Sequence, residues 1–312
     1  MRTPNIRQID FKFPQHWQHL KSRGAAYFTT QVIHRLPSGN FHIWSSRRFR
    51  KRRGTEIRAR EEIKQPERQK RHGQYWDWQP QSLTWWIGFI FTVGSLLFAI
   101  GAIPAMFPNP PEQKIALINF IGSVCFTIGS YAAFLEAINL NLDVQLEWDA
   151  EIIVEKIGNV RHSSSPPTKI KWFDWQPHRI EFQSTLIQFF GACLFNINCF
   201  FATVDGLTWQ TIDLIVWLPS TLASVCFCGA SYLAVMEVCH SYWDWKPQDI
   251  DWWIVILNLI GSVGFLSGSL FGFWGQGLVQ CCQEWGTNFS FLAGSIFFLG
   301  GSYLMVPEML DR

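Results

Sequence analysis

The stretch LTWWIGFIFTVGSLLFAIGAIPAMF, residues 83–107, decides the fold class of this chain. It holds no charged residue, and about 20 consecutive apolar residues in a helix are enough to span the hydrocarbon core of a bilayer. Five more stretches have the same character, at 115–138, 182–204, 211–238, 250–274 and 287–307. None of the six has a Lys or Arg in its middle, so the sequence predicts an all-α integral membrane protein with six transmembrane helices.

The placement of charge predicts the orientation of these helices. Of the 26 Lys and Arg, 18 precede residue 83, and the short connections 108–114, 205–210 and 275–286 hold only Lys114. Loops rich in Lys and Arg stay in the cytoplasm. We therefore expect both termini and both long loops to be cytoplasmic, in a plasma or inner membrane. No apolar segment precedes residue 83, so the first membrane helix is predicted to direct insertion.

The six helices group as three copies of a two-helix hairpin. The sequence YWDWQP at 75–80 recurs as WFDWQP at 172–177 and as YWDWKP at 242–247. All three units enter from the same side, so they are predicted to be parallel repeats around a pseudo-threefold axis along the membrane normal.

The predicted domains follow from these repeats. They are a basic cytoplasmic region at 1–72, repeat 1 at 73–142, a cytoplasmic insertion and linker at 143–171, repeat 2 at 172–240 and repeat 3 at 241–312. In the basic region, alternation over Ala26–Leu36 and Phe41–Arg50 around a Pro-Ser-Gly-Asn turn predicts a β-hairpin.

Small residues seven apart mark the second helix of each unit. In each of these helices, two Gly-Ser or Ala-Ser dipeptides lie seven residues apart. A Tyr and then a Glu follow the second dipeptide. In lipid, small residues let helix backbones approach closely enough to gain dispersion contacts. The residues predicted to pack helices are Gly94, Gly122, Gly129, Gly261, Gly294 and Gly301.

A unit with an aromatic lead, a short loop and a second helix of the form Gly-Ser-x-x-Phe-x-x-Gly-Ser-Tyr resembles the YrhK-like domain of small bacterial membrane proteins. The likeness covers about 75–140, 172–240 and 242–310. The second unit departs most, with Asn198, Ala223 and Ala230 in place of Gly. The resemblance implies the architecture, and it implies no catalytic residue or cofactor.

Repeated acidic residues form the first candidate site. A Glu ends the second helix of each unit, where the helix dipole disfavours negative charge. We expect compensation from a Trp indole N–H, a backbone N–H of a neighbouring helix or the basic segment. Two interpretations stay open: capped carboxylates beside Trp anchors, or an ion, proton or ligand site. The predicted cytoplasmic layer comprises Glu136, Glu237 and Glu308 together with Asp77, Trp78, Asp174, Trp175, Asp244 and Trp245.

A dense basic run forms the second candidate site. It is predicted to contact anionic lipid headgroups, which attract cations near the surface. A pure topology signal is one alternative, and nucleic-acid binding is a less favoured one because no nucleic-acid-binding fold is recognised. The predicted lipid contacts are Arg47, Arg48, Arg50, Lys51, Arg52 and Arg53.

The sequence supports no enzyme, cofactor or metal site. It has no Walker loop, zinc-protease motif, nucleophile elbow or dinucleotide fingerprint. Adjacent Cys281 and Cys282 lack a nearby His and make a poor metal site. The first interpretation is a non-enzymatic structural or regulatory membrane module whose basic region meets anionic lipid or a protein partner. The second is a channel or small-solute transporter with a ring of Glu at its cytoplasmic mouth. A central cavity lined by Asn and Glu would favour the second, and a dry Gly, Ser and Phe axis the first.

Overall fold

The computed structural model of the chain describes residues 14–58 except 15, 52 and 54, then 78–139, 170–274 and 280–308. Most of this part of the chain is helical. In chain order the helices are α1 Ser46–Arg50, α2 Leu83–Ala102, α3 Glu112–Ile138, α4 Ile180–Phe201, α5 Trp209–Ile212, α6 Leu218–Cys239, α7 Ile250–Trp274 and α8 Gln280–Glu308. A π-helical turn at Asp213–Trp217 joins α5 to α6.

Six helical segments are long and apolar enough to cross a membrane. They are Leu83–Met106, Glu112–Ile138, Ile180–Phe201, Trp209–Cys239, Ile250–Phe273 and Gln283–Glu308. The predicted set of six apolar helices is confirmed, and the chain is a multi-pass membrane protein. Each membrane helix packs against the next in chain order, and α8 also packs against α2. The bundle is therefore a closed ring of helices.

Local sequence explains where several helices begin and end. The hydroxyl of Ser82 accepts a hydrogen bond from the Trp85 backbone N–H at the start of α2, which satisfies a donor that the helix leaves unpaired. Thr208 caps α5 in the same way. At the end of α6, His240 takes a left-handed conformation with φ of 55°, which stops the helix and turns the chain towards α7.

A four-stranded antiparallel sheet precedes the helical bundle in the chain. Its strands are β1 Gln18–Arg23, β2 Gln31–Arg35, β3 Phe41–Ser45 and β4 Glu56–Arg58, and they lie side by side in this order. Strands β2 and β3 form a hairpin in the region where the sequence predicted one. Its turn is closed by the Leu36 N–H donating to the Asn40 carbonyl at 2.8 Å, with Gly39 at φ of +86°. The predicted second strand ran to Arg50, but residues 46–50 are helical. Strands β1 and β4 extend the predicted hairpin to a four-stranded sheet.

Six phenylalanines, one from each membrane helix, fill the centre of the bundle. Each is 3–6% exposed, and the set comprises Phe98, Phe126, Phe195, Phe227, Phe265 and Phe298. Three of the rings form a triangle with centroids 5.5–5.7 Å apart, and the other three form a second triangle at 5.7–6.4 Å. Such distances suit edge-to-face contact between aromatic rings. We call this set the phenylalanine core.

Close backbone approach accompanies the phenylalanine core. A Cβ atom added at Gly261 would lie 3.0 Å from the Gly294 carbonyl oxygen, and one added at Gly294 would lie 2.9 Å from the Gly261 oxygen. At Gly94 it would lie 2.7 Å from the ring of Phe126, and at Gly301 2.6 Å from the Asn258 amide oxygen. Only glycine fits such approaches, so these positions set the distance between the two helices of a hairpin.

Candidate functional site

A short basic segment lies across one end of the bundle. Helix α1 follows directly after β3, and residues three and four apart on a helix share a face. Arg47, Arg50 and Lys51 therefore point the same way, and Arg53 follows them just beyond the helix. We call these four residues the cationic segment. Their exposed fractions are only 5–9%.

Each cation of this segment meets a carboxylate near the end of a membrane helix. Three of these carboxylates belong to the Glu residues that the sequence analysis singled out. Arg47 Nε donates to Glu308 Oε1 at 2.9 Å, Arg50 Nη2 to Glu237 Oε2 at 2.8 Å, and Lys51 Nζ to Glu136 Oε2 at 2.9 Å. Arg53 Nη1 donates to both carboxylate oxygens of Asp251, at 2.8 and 2.9 Å. We call these eight residues the charge cluster.

Two hydroxyl groups also donate to carboxylates of the charge cluster. Ser46 Oγ donates to Glu237 Oε1 at 2.9 Å, and Thr84 Oγ1 donates to Glu136 Oε1. A further pair lies on α4, where Arg179 Nε donates to Glu181 Oε1 at 2.7 Å. Charge-assisted hydrogen bonds of this kind are shorter and stronger than neutral ones.

The charges of the cluster are buried, so pairing decides whether they stay ionised. The exposed fraction is 9% for Glu136, 7% for Asp251, 1% for Glu237 and 0% for Glu308. Burial by itself lowers the pKa of Arg47, but the carboxylates of Glu308 and Asp251 outweigh it and raise that pKa above its ordinary value. The guanidinium therefore stays charged, as burial among opposite charges requires.

The Trp residues of the Asp-Trp motifs are exposed, whereas the carboxylates of the charge cluster are buried. Trp78, Trp175 and Trp245 are 61%, 63% and 67% exposed. Each ring packs on the aromatic residue seven positions later, with centroids 4.7, 5.4 and 4.8 Å apart. These contacts are those expected of anchors at helix starts. One shared layer of Glu residues and Asp-Trp motifs therefore stays a prediction.

The aspartates of the motifs bond locally. Asp174 accepts from Lys171 at 2.7 Å and from Gln176 at 2.8 Å, and these hydrogen bonds lower the pKa of its carboxyl. Asp244 lies 3.6 Å from the amine of Lys246. Asp77 lies outside the described residues.

Four of the six residues predicted to contact lipid belong to the charge cluster. Arg47, Arg50, Lys51 and Arg53 bond to carboxylates of the bundle. Arg48 is partly buried, and Arg52 lies outside the described residues. Lipid contact by the rest of the basic region stays a prediction.

Sequence reasoning did not include Ser46, Thr84, Asp251 and Glu181. A signal for three of them was present: Thr84, Glu181 and Asp251 each lie seven residues after the Asp of an Asp-Trp-x-Pro motif. Polar residues at matched positions of apolar helices are expected to have partners. Nothing in the sequence pointed to Ser46.

Two cavities lie inside the ring of helices, one on each side of the phenylalanine core. The inner chamber, next to the cationic segment, has a volume of about 80 Å³ and is lined by the polar side chains of Gln188, Asn258, Ser231 and Ser302 among others. The far cavity has a volume of about 230 Å³, and Phe98, Phe195 and Phe265 line it. The phenylalanine core therefore separates them.

In the part of the chain that the structure describes, no group of three or more His, Cys, Asp or Glu could hold a metal ion. Comparison with protein-family models, with curated proteins and with solved structures finds no match for this chain. The site is therefore interpreted from its own geometry.

Proposed function

We propose that the chain is a non-enzymatic, regulatory membrane module in which the N-terminal domain is a releasable cap on the six-helix bundle. The charge cluster carries this proposal. It joins a separate folded element, the sheet with α1, to four helices of the bundle through four ion pairs. Docking and release of that element would change which face of the bundle a partner meets.

The chemistry of the contact favours a releasable cap over a permanent one. Replacing a buried ion pair by well-packed apolar residues is often neutral or stabilising, by about 1–4 kcal/mol. A permanent cap would therefore be held at least as well by apolar residues. Ion pairs differ because both partners are soluble once separated. The apolar part of the contact is small, and it consists of Ala25 and Phe28 packed on Ile180 and Met236.

Orientation and internal symmetry belong to the same proposal. The charge bias of the loops supports a cytoplasmic cap and cytoplasmic termini. The repeated Asp-Trp-x-Pro and Ser-Tyr-x4-Glu sequences support three YrhK-like hairpins around a pseudo-threefold axis. On this view the Glu of each hairpin receives one cation from the cap, and anionic lipid or a protein partner would compete for those cations after release.

The test is hydrogen exchange on the full chain in lipid nanodiscs, with the triple variant Glu136→Gln, Glu237→Gln and Glu308→Gln. We expect amides of 41–51 to lose protection while α6 and α8 keep theirs, because an unpaired buried charge is strongly destabilising, by about 3–5 kcal/mol. The matched control is Glu112→Gln, an exposed Glu at the start of α3, which should change nothing. Unchanged protection of 41–51 would contradict the proposal. Loss of protection throughout the bundle would mean that the charge cluster stabilises the whole fold and does not only hold the cap.

A second candidate function is a gated conduit for ions or small solutes. The observation that favours it is the pair of cavities on the two sides of the phenylalanine core, since a transport path needs space at both ends. Both the phenylalanine core and the charge cluster close that path in this state. Opening the path takes a change at both closures, so proteoliposomes carrying the triple variant together with Phe126→Ala should pass a solute that the wild-type chain retains. Absence of flux for every ion and metabolite tried would remove this candidate.

A further inference from the structure

We propose that the far cavity is a binding site for a small, uncharged, mostly apolar molecule that carries one hydrogen-bonding oxygen. The inference is independent of the releasable cap, because the cavity lies beyond the phenylalanine core from the charge cluster. It rests on the cavity's volume, its lining and one unsatisfied hydroxyl.

The volume sets the size of the ligand. A dry cavity of about 150 Å³ in another protein is large enough to bind benzene. The far cavity, at about 230 Å³, is larger and suits a two-ring aromatic molecule or an aliphatic one of similar size. Such molecules dissolve in the bilayer, so they would reach a membrane-embedded cavity at high local concentration.

The lining sets the polarity of the ligand. Most of the lining residues are apolar, and they include Trp217 and Phe291 beside the three rings of the phenylalanine core. No Lys, Arg, Asp or Glu lines it in the described part of the chain. A charged ligand would lose its hydration there without an opposite charge to compensate. The ligand is therefore uncharged.

Two amides of the lining are already bonded to the protein, whereas the partly buried Asn119 has no hydrogen bond among the described residues. The Asn198 amide donates to the Val216 carbonyl at 3.0 Å, and the Asn288 amide donates to the Ala105 carbonyl at 2.8 Å. Thr287 differs: its residue is 7% exposed, and its hydroxyl is buried with no hydrogen-bond partner among the described residues. A buried hydroxyl without a partner is uncommon in native structures. A ligand oxygen would satisfy it.

Two local features of the chain fix the position of the Trp217 ring in the wall of the far cavity. Trp217 ends the π-helical turn, and turns of this kind occur often at functional sites. Its ring fits only because residue 272 is glycine, since a Cβ atom there would lie 2.4 Å from the ring. The helix irregularity and the glycine together place an aromatic wall beside the cavity.

The experiment measures binding of 2-naphthol and of naphthalene to the purified full chain in nanodiscs. We expect saturable binding of both, and Thr287→Val should weaken 2-naphthol roughly three- to tenfold, the value of about one hydrogen bond, without changing naphthalene. Ala102→Phe, which fills the cavity wall, should abolish binding. Ala133→Phe, at a buried alanine that lines the inner chamber instead, should not.

A second measurement covers the case in which the Ala102 variant does not fold. A brominated 2-naphthol should quench part of the tryptophan fluorescence of the wild-type chain, and the conservative variant Trp217→Phe should remove that part. Non-saturating uptake, equal uptake by the Ala102 variant, or quenching that survives in Trp217→Phe would each overturn the proposal, since each would place the probe in lipid or elsewhere in the bundle.

Discussion

His240, at the junction of sheet and bundle, is expected to make docking of the N-terminal sheet and α1 sensitive to pH. Thr30 Oγ1 lies 3.0 Å from His240 Nδ1, and burial followed by the nearby charges of Lys246 and Arg23 lowers the pKa of His240 from 6.5 to about 3. The undocked state therefore binds a proton between pH 6.5 and 3 that the docked state does not. Docking should weaken as pH falls through this window, by at most about 1.4 kcal/mol per unit and by less because the ring is partly exposed.

The variant His240→Asn isolates this effect. Asparagine tolerates the left-handed backbone that His240 adopts, and its side chain can still bond Thr30, but it does not titrate. We expect the thermal midpoint of the wild-type chain to fall more steeply from pH 7 to pH 5 than that of the variant. His34 and His42, whose pKa values burial lowers to about 4, remain in both chains and supply a common background. Parallel midpoint curves for the two chains would contradict the role of His240.

The three Glu residues of the charge cluster could be predicted from the sequence, but their pairing with particular cations could not. A carboxylate at the negative end of a helix dipole has to be compensated, so Glu136, Glu237 and Glu308 stood out, with the basic segment among their candidate partners. Which cation meets which carboxylate depends on the turn from β3 into α1, and no local rule gives that geometry. Asp251 was missed because an acidic residue in the first turn of a helix is ordinary by itself.

At the scale of helices, two glycines of α8 have opposite surroundings and predict opposite outcomes. A Cβ atom at Gly294 would meet the ring of Phe265 at 2.8 Å and the Gly261 oxygen at 2.9 Å, whereas at Gly300 the nearest atom is Leu257 Cδ1 at 3.5 Å. Gly294→Ala should therefore lower the free energy of unfolding by about 1–3 kcal/mol through overpacking. Gly300→Ala should be neutral or slightly stabilising, because alanine favours the helix.

The measurement is the yield and thermal midpoint of detergent-solubilised protein for both variants. Both substitutions add the same methyl group to the same helix, so the gain in helix propensity is the same for both. The difference in stability between the two variants therefore reports packing. Equal behaviour of the two variants would mean that close approach at Gly294 contributes nothing to stability.

The elements differ in how far the sequence predicts them. Membrane helices are long, and lipid imposes one length and one apolar composition on each, so all six were found. The largest error in an end is at α8, which begins at Gln280 and not at residue 287. The sheet has strands of only 3–6 residues, and strand β1 pairs with β2 through a register shift between His19 and Lys21. Such pairing depends on contacts distant in sequence, which periodicity does not report. Helix α1 was taken for strand because its basic run has no helical pattern of apolar residues.

At the scale of the whole molecule, the cap and the last membrane helix meet at the same end, since Arg47 bonds Glu308. The six membrane segments therefore return the chain to the side of the cap, and the charges of the loops predict that this side is the cytoplasm. We therefore expect Ser38→Cys and Gln248→Cys, both exposed at the capped end, to resist a membrane-impermeant maleimide in intact cells. Glu112→Cys, exposed at the start of α3, should react.

The labelling needs a background without the eight native cysteines, and permeabilised cells provide the control, because every introduced cysteine should then react. Residues 38 and 248 lie at one end of the bundle and residue 112 at the other. Only inversion of the whole bundle in the membrane would exchange the sides on which they lie. Labelling of Ser38→Cys but not Glu112→Cys in intact cells would invert the orientation while leaving the bundle intact. Labelling of both would break the assignment of six membrane crossings, because residues 38 and 112 are separated by one crossing in this structure.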